Sequence, residues 1–129
     1  MNKQQRLQIY RKYEGHCAYC GRAIDYHEMQ VDHIRAKWRS EIYDGLTRDE
    51  IESMTNFNPS CRMCNFRKGE LTIEEFRREI RLQAEREMKR FQARMSAAYG
   101  LIEHHPEREV TFYFENNYPI YKPIKTNKL

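Results

Sequence analysis

Cys17-Ala18-Tyr19-Cys20 and Cys61-Arg62-Met63-Cys64 decide how this chain folds. The two pairs use up all four cysteines of the 129 residues. Each Cys-x-x-Cys presents two sulfurs from one tight turn, so the pairs together suit a single tetrahedral zinc. Four sulfurs fill every position on such an ion, which makes the zinc structural. Disulfides are the competing reading, but a reducing cytosol favours zinc thiolates.

Between the pairs, Met29-Gln30-Val31-Asp32-His33-Ile34 alternates apolar and polar residues and reads as a short strand. The alternation puts Met29, Val31 and His33 on one face, so His33 is expected to point inward, with Asp32 opposite. Asp44-Gly45 marks a turn, and Thr47-Arg48-Asp49-Glu50 resembles a capping box for a short helix over 49–54. Pro59 limits a strand over 56–60 to an edge or a short piece. A helix follows Cys61, carries Asn65 and Lys68 on one face, and ends near Gly69.

Upstream, residues 2–14 place Leu7, Ile9, Tyr10 and Tyr13 among polar residues and read as a helix stopped at Gly15. Downstream, Thr72-Ile73-Glu74-Glu75 is a second capping box. Ile73, Phe76, Ile80, Ala84, Met88, Phe91, Met95 and Tyr99 then recur at spacings of three and four. One long helix over 72–99, stopped by Gly100, is expected. Glu109-Val110-Thr111-Phe112-Tyr113-Phe114 reads as a strand, and the aromatic residues over 112–121 read as packing on that helix. The tail with Pro119, Lys122, Pro123, Lys125 and Lys128 reads as mobile. The expected architecture is a single α+β domain over 1–129, with its core at 14–70 and a helix-and-strand extension at 71–129.

A third of the residues are charged and the mean hydropathy is -0.99. No apolar run is long enough for a membrane span and no signal-peptide stretch opens the chain, so a cytoplasmic protein is expected. The net charge of +4 permits nucleic-acid binding without requiring it. Its placement says more. Arg35, Lys37 and Arg39 follow Asp32-His33, and Arg62, Arg67 and Lys68 surround the second cysteine pair. Cations beside a site suggest a phosphate-bearing substrate. The arginines from Arg77 to Arg94 alternate with glutamates, as on a solvated helix face.

Asp32-His33, then Asn56, then Cys61-x-x-Cys64-Asn65-x-x-Lys68 resembles the HNH endonucleases of the ββα-metal fold. The likeness is greatest to small zinc-knuckle HNH proteins common in phages and other mobile elements. It is specific across residues 16–69 and weaker over 72–78, 99–102 and 112–115. The resemblance implies a zinc-stabilised ββα core with an N-terminal helix, a long C-terminal helix and a short C-terminal strand. It implies Asp32 as ligand of an exchangeable divalent cation (magnesium, manganese or nickel) and His33 as general base. Asn56 would orient the segment carrying His33. Asn58 competes for that role, and the spacing to Cys61 favours Asn56. Asn65 would be the second cation ligand, where many relatives have His. Lys68, with Arg67 as a weaker candidate, would contact a substrate phosphate. Relatives often carry Pro soon after Asp-His; Arg35-Ala36-Lys37 stands here, which alters the loop and removes no functional group.

The residues carry a chemical logic of their own. Phosphodiester hydrolysis needs an activated water and charge stabilisation at phosphorus and the leaving oxygen. An imidazole with a reference pKa of about 6.5 can take a proton from water near neutrality. The expected function is therefore metal-dependent DNA cleavage. Two other readings stand beside it. The amide at Asn65 and the basic helix fit a zinc-stabilised DNA-binding or adaptor module without catalysis. A nuclease that waits for a partner protein is the other. The helix at 72–99 also leaves a homodimer open.

Overall fold

Asn2 opens the first helix, α1 (Lys3–Arg11), through a capping box. Its Oδ1 accepts from Gln5 N at 2.8 Å, and Gln5 Oε1 accepts from Asn2 N at 3.0 Å. The computed structural model describes residues 1–116; the Pro- and Lys-bearing tail from Pro119 lies outside them. Among the described residues the fold is α+β, with six α-helices and one two-stranded antiparallel sheet. After α1 the chain turns at Gly15, where φ is +81° and an added Cβ would stand 2.9 Å from Tyr10 Oη. Both the backbone and the crowding require glycine there.

The first cysteine turn is pinched at its base. His16 and Ala23 form an antiparallel bridge, and Cys17 N donates to Arg22 O at 2.8 Å. Strand β1 (Gln30–His33) then pairs with β2 (Phe57–Ser60), in the register Gln30–Ser60, Val31–Pro59, Asp32–Asn58 and His33–Phe57. A two-stranded sheet has only edge strands, which is why Pro59 is accepted in β2. The carbonyl of Pro59 accepts from Ala18 N at 2.8 Å, so β2 also anchors the first cysteine turn. Ile9, Met29 and Phe57 form the apolar core here, with Tyr10, Ile24, Val31 and Met54 packed against them.

Between the strands lie α2 (Lys37–Tyr43) and α3 (Arg48–Ile51). The sequence has no strong apolar period over α2, and no helix was expected there. Helix α3 does start at the Thr47–Glu50 capping box, with Glu50 N donating to Thr47 Oγ1 at 3.1 Å. Helix α4 (Arg62–Lys68) follows β2 directly, with Cys61 as its N-cap, and ends at Gly69, where φ is +49°.

Two expectations downstream need correction. The helix foreseen over 72–99 is two helices, α5 (Ile73–Met88) and α6 (Phe91–Ala98). Arg90 between them is extended, with φ -78° and ψ 143°. No Gly or Pro marks this break, and the apolar spacing runs straight through it. The strand foreseen over 109–114 is absent: Tyr113–Glu115 is a 3₁₀ turn. Its backbone bonds to the first cysteine turn instead, Tyr113 N to Tyr19 O at 3.1 Å and Phe114 N to Ala18 O at 2.9 Å. Phe112 and Phe114 likewise pack edge-on to Tyr19, at 5.5 and 5.7 Å between ring centroids.

The chain divides into two compact units. One is Met1–Ile73 with the segment that returns at Thr111; the other is Glu74–Val110. In the second, Arg81 donates to the carbonyls of Pro106 and Arg108, each at 3.0 Å, and Arg77 donates to Val110 O. These arginines tie the segment after α6 to α5, a role beyond surface pairing with glutamates.

Candidate functional site

The four cysteine sulfurs lie within 4.8 Å of one another. A tetrahedral zinc with bonds of about 2.3 Å spaces its sulfurs about 3.8 Å apart. The Sγ atoms of Cys20 and Cys61, one from each pair, are 3.8 Å apart. The cluster therefore fits a four-sulfur structural metal such as zinc. Hydrogen bonds from Cys17 and Cys64 hold the Cys20 thiol far below its usual range, while the bond with Cys20 pushes Cys17 up and the bonds with Cys17 and Cys20 push Cys64 up. Four thiolates this close repel one another unless a cation sits among them.

Asp32 faces the inside of the first unit, the reverse of what strand alternation suggested. It is 4% exposed, whereas the side chain of His33 is 25% exposed. The cause is what covers each face. The Tyr19 ring, from the middle of the first cysteine turn, closes over Asp32 and donates its hydroxyl to Oδ2. Lys68, fully buried on α4, places Nζ 3.1 Å from Oδ2 and 3.4 Å from Oδ1. The same ammonium donates to His33 O at 3.0 Å. Asn58, across the sheet from Asp32, donates Nδ2 to the Tyr19 hydroxyl at 3.3 Å, and its Oδ1 is buried without a partner.

Two donors thus converge on Oδ2, while among the described residues Oδ1 has the longer Lys68 contact alone. Burial raises the Asp32 carboxyl above its ordinary range, against the pull of Lys68 and of the Tyr19 hydroxyl. Burial and the neighbouring Asp32 charge raise the Tyr19 hydroxyl well above its own range, so it stays a neutral donor.

His33 stands over Phe57 in an edge-on contact, with ring centroids 5.0 Å apart. Its Nε2 lies 3.2 Å from Glu52 Oε2, and Lys37 Nζ lies 3.8 Å from the same oxygen. Asn56 is buried just before β2, at the end of a 3₁₀ turn over Met54–Asn56. Its Oδ1 accepts from Arg35 N at 2.9 Å, and its Nδ2 donates to Arg35 O at 3.1 Å and Ile51 O at 2.9 Å. Its own carbonyl accepts from Ile34 N at 2.8 Å. One amide therefore clamps the backbone just beyond His33. The two competing asparagines have different surroundings: Asn56 holds this loop, and Asn58 belongs to the Tyr19–Asp32 network.

Asp32, His33, Lys37, Asn65 and Glu70 line one cleft of about 270 Å³. Asn65 is partly buried, and among the described residues its side-chain amide makes no hydrogen bond to protein. A carboxylate oxygen and an amide oxygen are hard donors of the kind that suit magnesium or manganese. Lys68, foreseen at a substrate phosphate, is buried, with its ammonium on Asp32 and on His33 O. Lys37, 65% exposed, stands on the cleft rim. Arg67 is exposed on α4.

Sequence reasoning missed Tyr19 and Glu52. Tyr19 had one signal, its position between two metal-binding cysteines, where its side chain must go wherever the turn puts it. Glu52 had none, because its approach to His33 depends on how the loop between the strands folds back.

No family model matches this chain, and no curated protein matches it. Among solved structures, the chain is similar to the crystal structure of the Type II-C Cas9 enzyme from Actinomyces naeslundii, at 25% identity and a TM-score of 0.47. The matched region covers 59% of this chain and 7% of the Cas9 chain, so this chain spans a small part of that enzyme's length.

Proposed function

We propose that the protein is an HNH-type endonuclease that hydrolyses DNA phosphodiester bonds with a divalent cation. The observation that carries this reading is the shared cleft. It is lined by an imidazole, a half-anchored carboxylate and an amide with no protein partner among the described residues, in the unit that holds the four-thiol cluster. The order β1, β2, α4, with the cysteine turns at its ends, supports the ββα core that the motif implies.

Asp32, through Oδ1, and Asn65 are the residues that would hold the cation. When bound, it supplies positive charge to the phosphate and to the departing 3′ oxygen. His33 takes the proton from the attacking water. Glu52 beside Nε2 favours the tautomer with hydrogen on that nitrogen, which leaves the Nδ1 lone pair as the base. Asn56 keeps the His33 loop in place by bonding the Arg35 backbone on both sides. Lys37 and Arg67 meet the phosphates, and products carry 5′ phosphates, as the motif resemblance implies. Lys68 holds Asp32 in place and does not touch DNA.

The direct test is supercoiled plasmid incubated with magnesium, manganese or nickel. Wild type should nick or linearise it, and His33→Ala should not. Equal cleavage by both would sink the assignment. A second reading, a zinc-stabilised DNA-binding module, draws on the buried Lys68–Asp32 pair, which already neutralises the carboxylate. A protein that binds duplex DNA in a salt-dependent way, yet never cuts under any divalent metal, would favour it.

A further inference from the structure

Tyr19 lies in the cysteine turn, yet its hydroxyl ends on the carboxylate of Asp32. Every other part of the residue is fixed. Its backbone N–H points at Cys17 Sγ at 3.4 Å, and its carbonyl accepts from Tyr113 N at 3.1 Å. Its ring is held edge-on by Phe112 and Phe114, and it is 2% exposed. Asn58 Nδ2 donates to the hydroxyl oxygen at 3.3 Å, so the oxygen accepts from Asn58 and gives its own proton to Asp32. The hydroxyl therefore has one direction in which to donate, and the carboxylate receives it on Oδ2.

We infer that Tyr19 is a positioning residue for the cation site, holding the Asp32 carboxylate so that Oδ1 remains for the cleft. This rests on the reading above that Asp32 and Asn65 hold a divalent cation. Lys68 alone does not define the carboxylate's rotation, because its ammonium lies within reach of both oxygens, at 3.1 and 3.4 Å. Without the tyrosine hydroxyl, both oxygens turn to the ammonium and the carboxylate is lost to the cleft. With it, Oδ2 is pinned between two donors, and the other oxygen, which has the longer Lys68 contact alone, keeps a lone pair for the cleft. The cysteine turn then does two things: it closes the zinc site, and it carries the group that aims the neighbouring ligand. Loss of a hydrogen-bonding partner behind a metal ligand weakens metal affinity by roughly 10–100-fold.

The test measures manganese binding by electron paramagnetic resonance on the full-length, zinc-loaded protein, for wild type, Asn65→Ala and Tyr19→Phe. Zinc content and thermal midpoint are recorded for each. The expected result is strong loss of manganese in Asn65→Ala and roughly 10–100-fold weaker binding in Tyr19→Phe, with one zinc retained. Unchanged binding in Asn65→Ala overturns the cation-site reading itself. Loss in Asn65→Ala, with Tyr19→Phe within about twofold of wild type, overturns the Tyr19 inference alone. If Tyr19→Phe loses zinc or fails to fold, the wild type decides. Its Tyr19 Cζ resonance, assigned through contacts with Phe112, should shift on titration with magnesium and saturate with the cation-binding curve. A resonance that stays still while magnesium binds overturns the inference.

Discussion

Asp32 and His33 are neighbours on β1, but the two faces of that strand are built differently. The Asp32 face is buried and cross-linked: Tyr19, Lys68 and Asn58 are all buried, and each donates within one network. The His33 face is half open, with an imidazole resting on Phe57 and paired to an exposed glutamate. Under the proposed function, the difference is a division of labour. A group that must present one atom in one direction is locked from behind. A group that must exchange protons with water keeps contact with water, and its partners are weak enough to let go.

The largest expected effect removes the frame that both faces share. Cys61→Ala, or zinc stripped by a strong chelator, should unfold or loosen the first unit, because metal binding and folding are coupled. Far-ultraviolet circular dichroism with and without added zinc reads this directly. A chelated protein with an unchanged spectrum and melting curve would contradict the four-sulfur site.

Lys68→Ala probes the closed face. It leaves a carboxylate buried without its ammonium, and removing one partner of a buried pair costs about 3–5 kcal/mol. Urea denaturation should report a loss of that order. A change under about 1 kcal/mol would mean that the Lys68–Asp32 pair behaves as an exposed one.

His33→Ala probes the open face and should reverse the pattern. Cleavage should fall by roughly 10²–10⁴-fold while the melting temperature stays close to wild type. A large loss of stability would place His33 with the packed residues and not with the reacting ones. The smallest effect belongs to Glu52→Gln. An exposed pair is worth at most about 1 kcal/mol, so the rate should fall no more than about fivefold. A drop of two orders of magnitude would give Glu52 a direct part in the chemistry.

Much of this was legible in the sequence because the signals were local. The paired Cys-x-x-Cys turns, the strand at Asp32-His33 and the helix from Cys61 to Gly69 each depend on residues a few positions apart. The reading failed where the answer depended on distant packing. Alternation along β1 put His33 inside, but no local pattern could reveal that Tyr19 would cover the Asp32 face. Lys68 reads as a phosphate contact from its place in the motif, three residues after Asn65; lysine is rarely buried, and only the fold brings an acid within its reach. The segment over 109–114 has the composition of a strand, yet the described sheet ends at two strands, and the segment bonds to the cysteine turn instead. The break at Arg90 carries no sequence mark at all.

The central claim is that two metal sites lie side by side, a permanent one of four sulfurs and an exchangeable one at Asp32 and Asn65. A crystal of the zinc-loaded protein soaked in manganese tests it most directly, through anomalous difference maps recorded at both metal edges. The account expects a zinc peak among Cys17, Cys20, Cys61 and Cys64, and a separate manganese peak in the cleft against Asp32 Oδ1 and Asn65. A zinc peak alone, with Lys68 still seated on both Asp32 oxygens at saturating manganese, would contradict it.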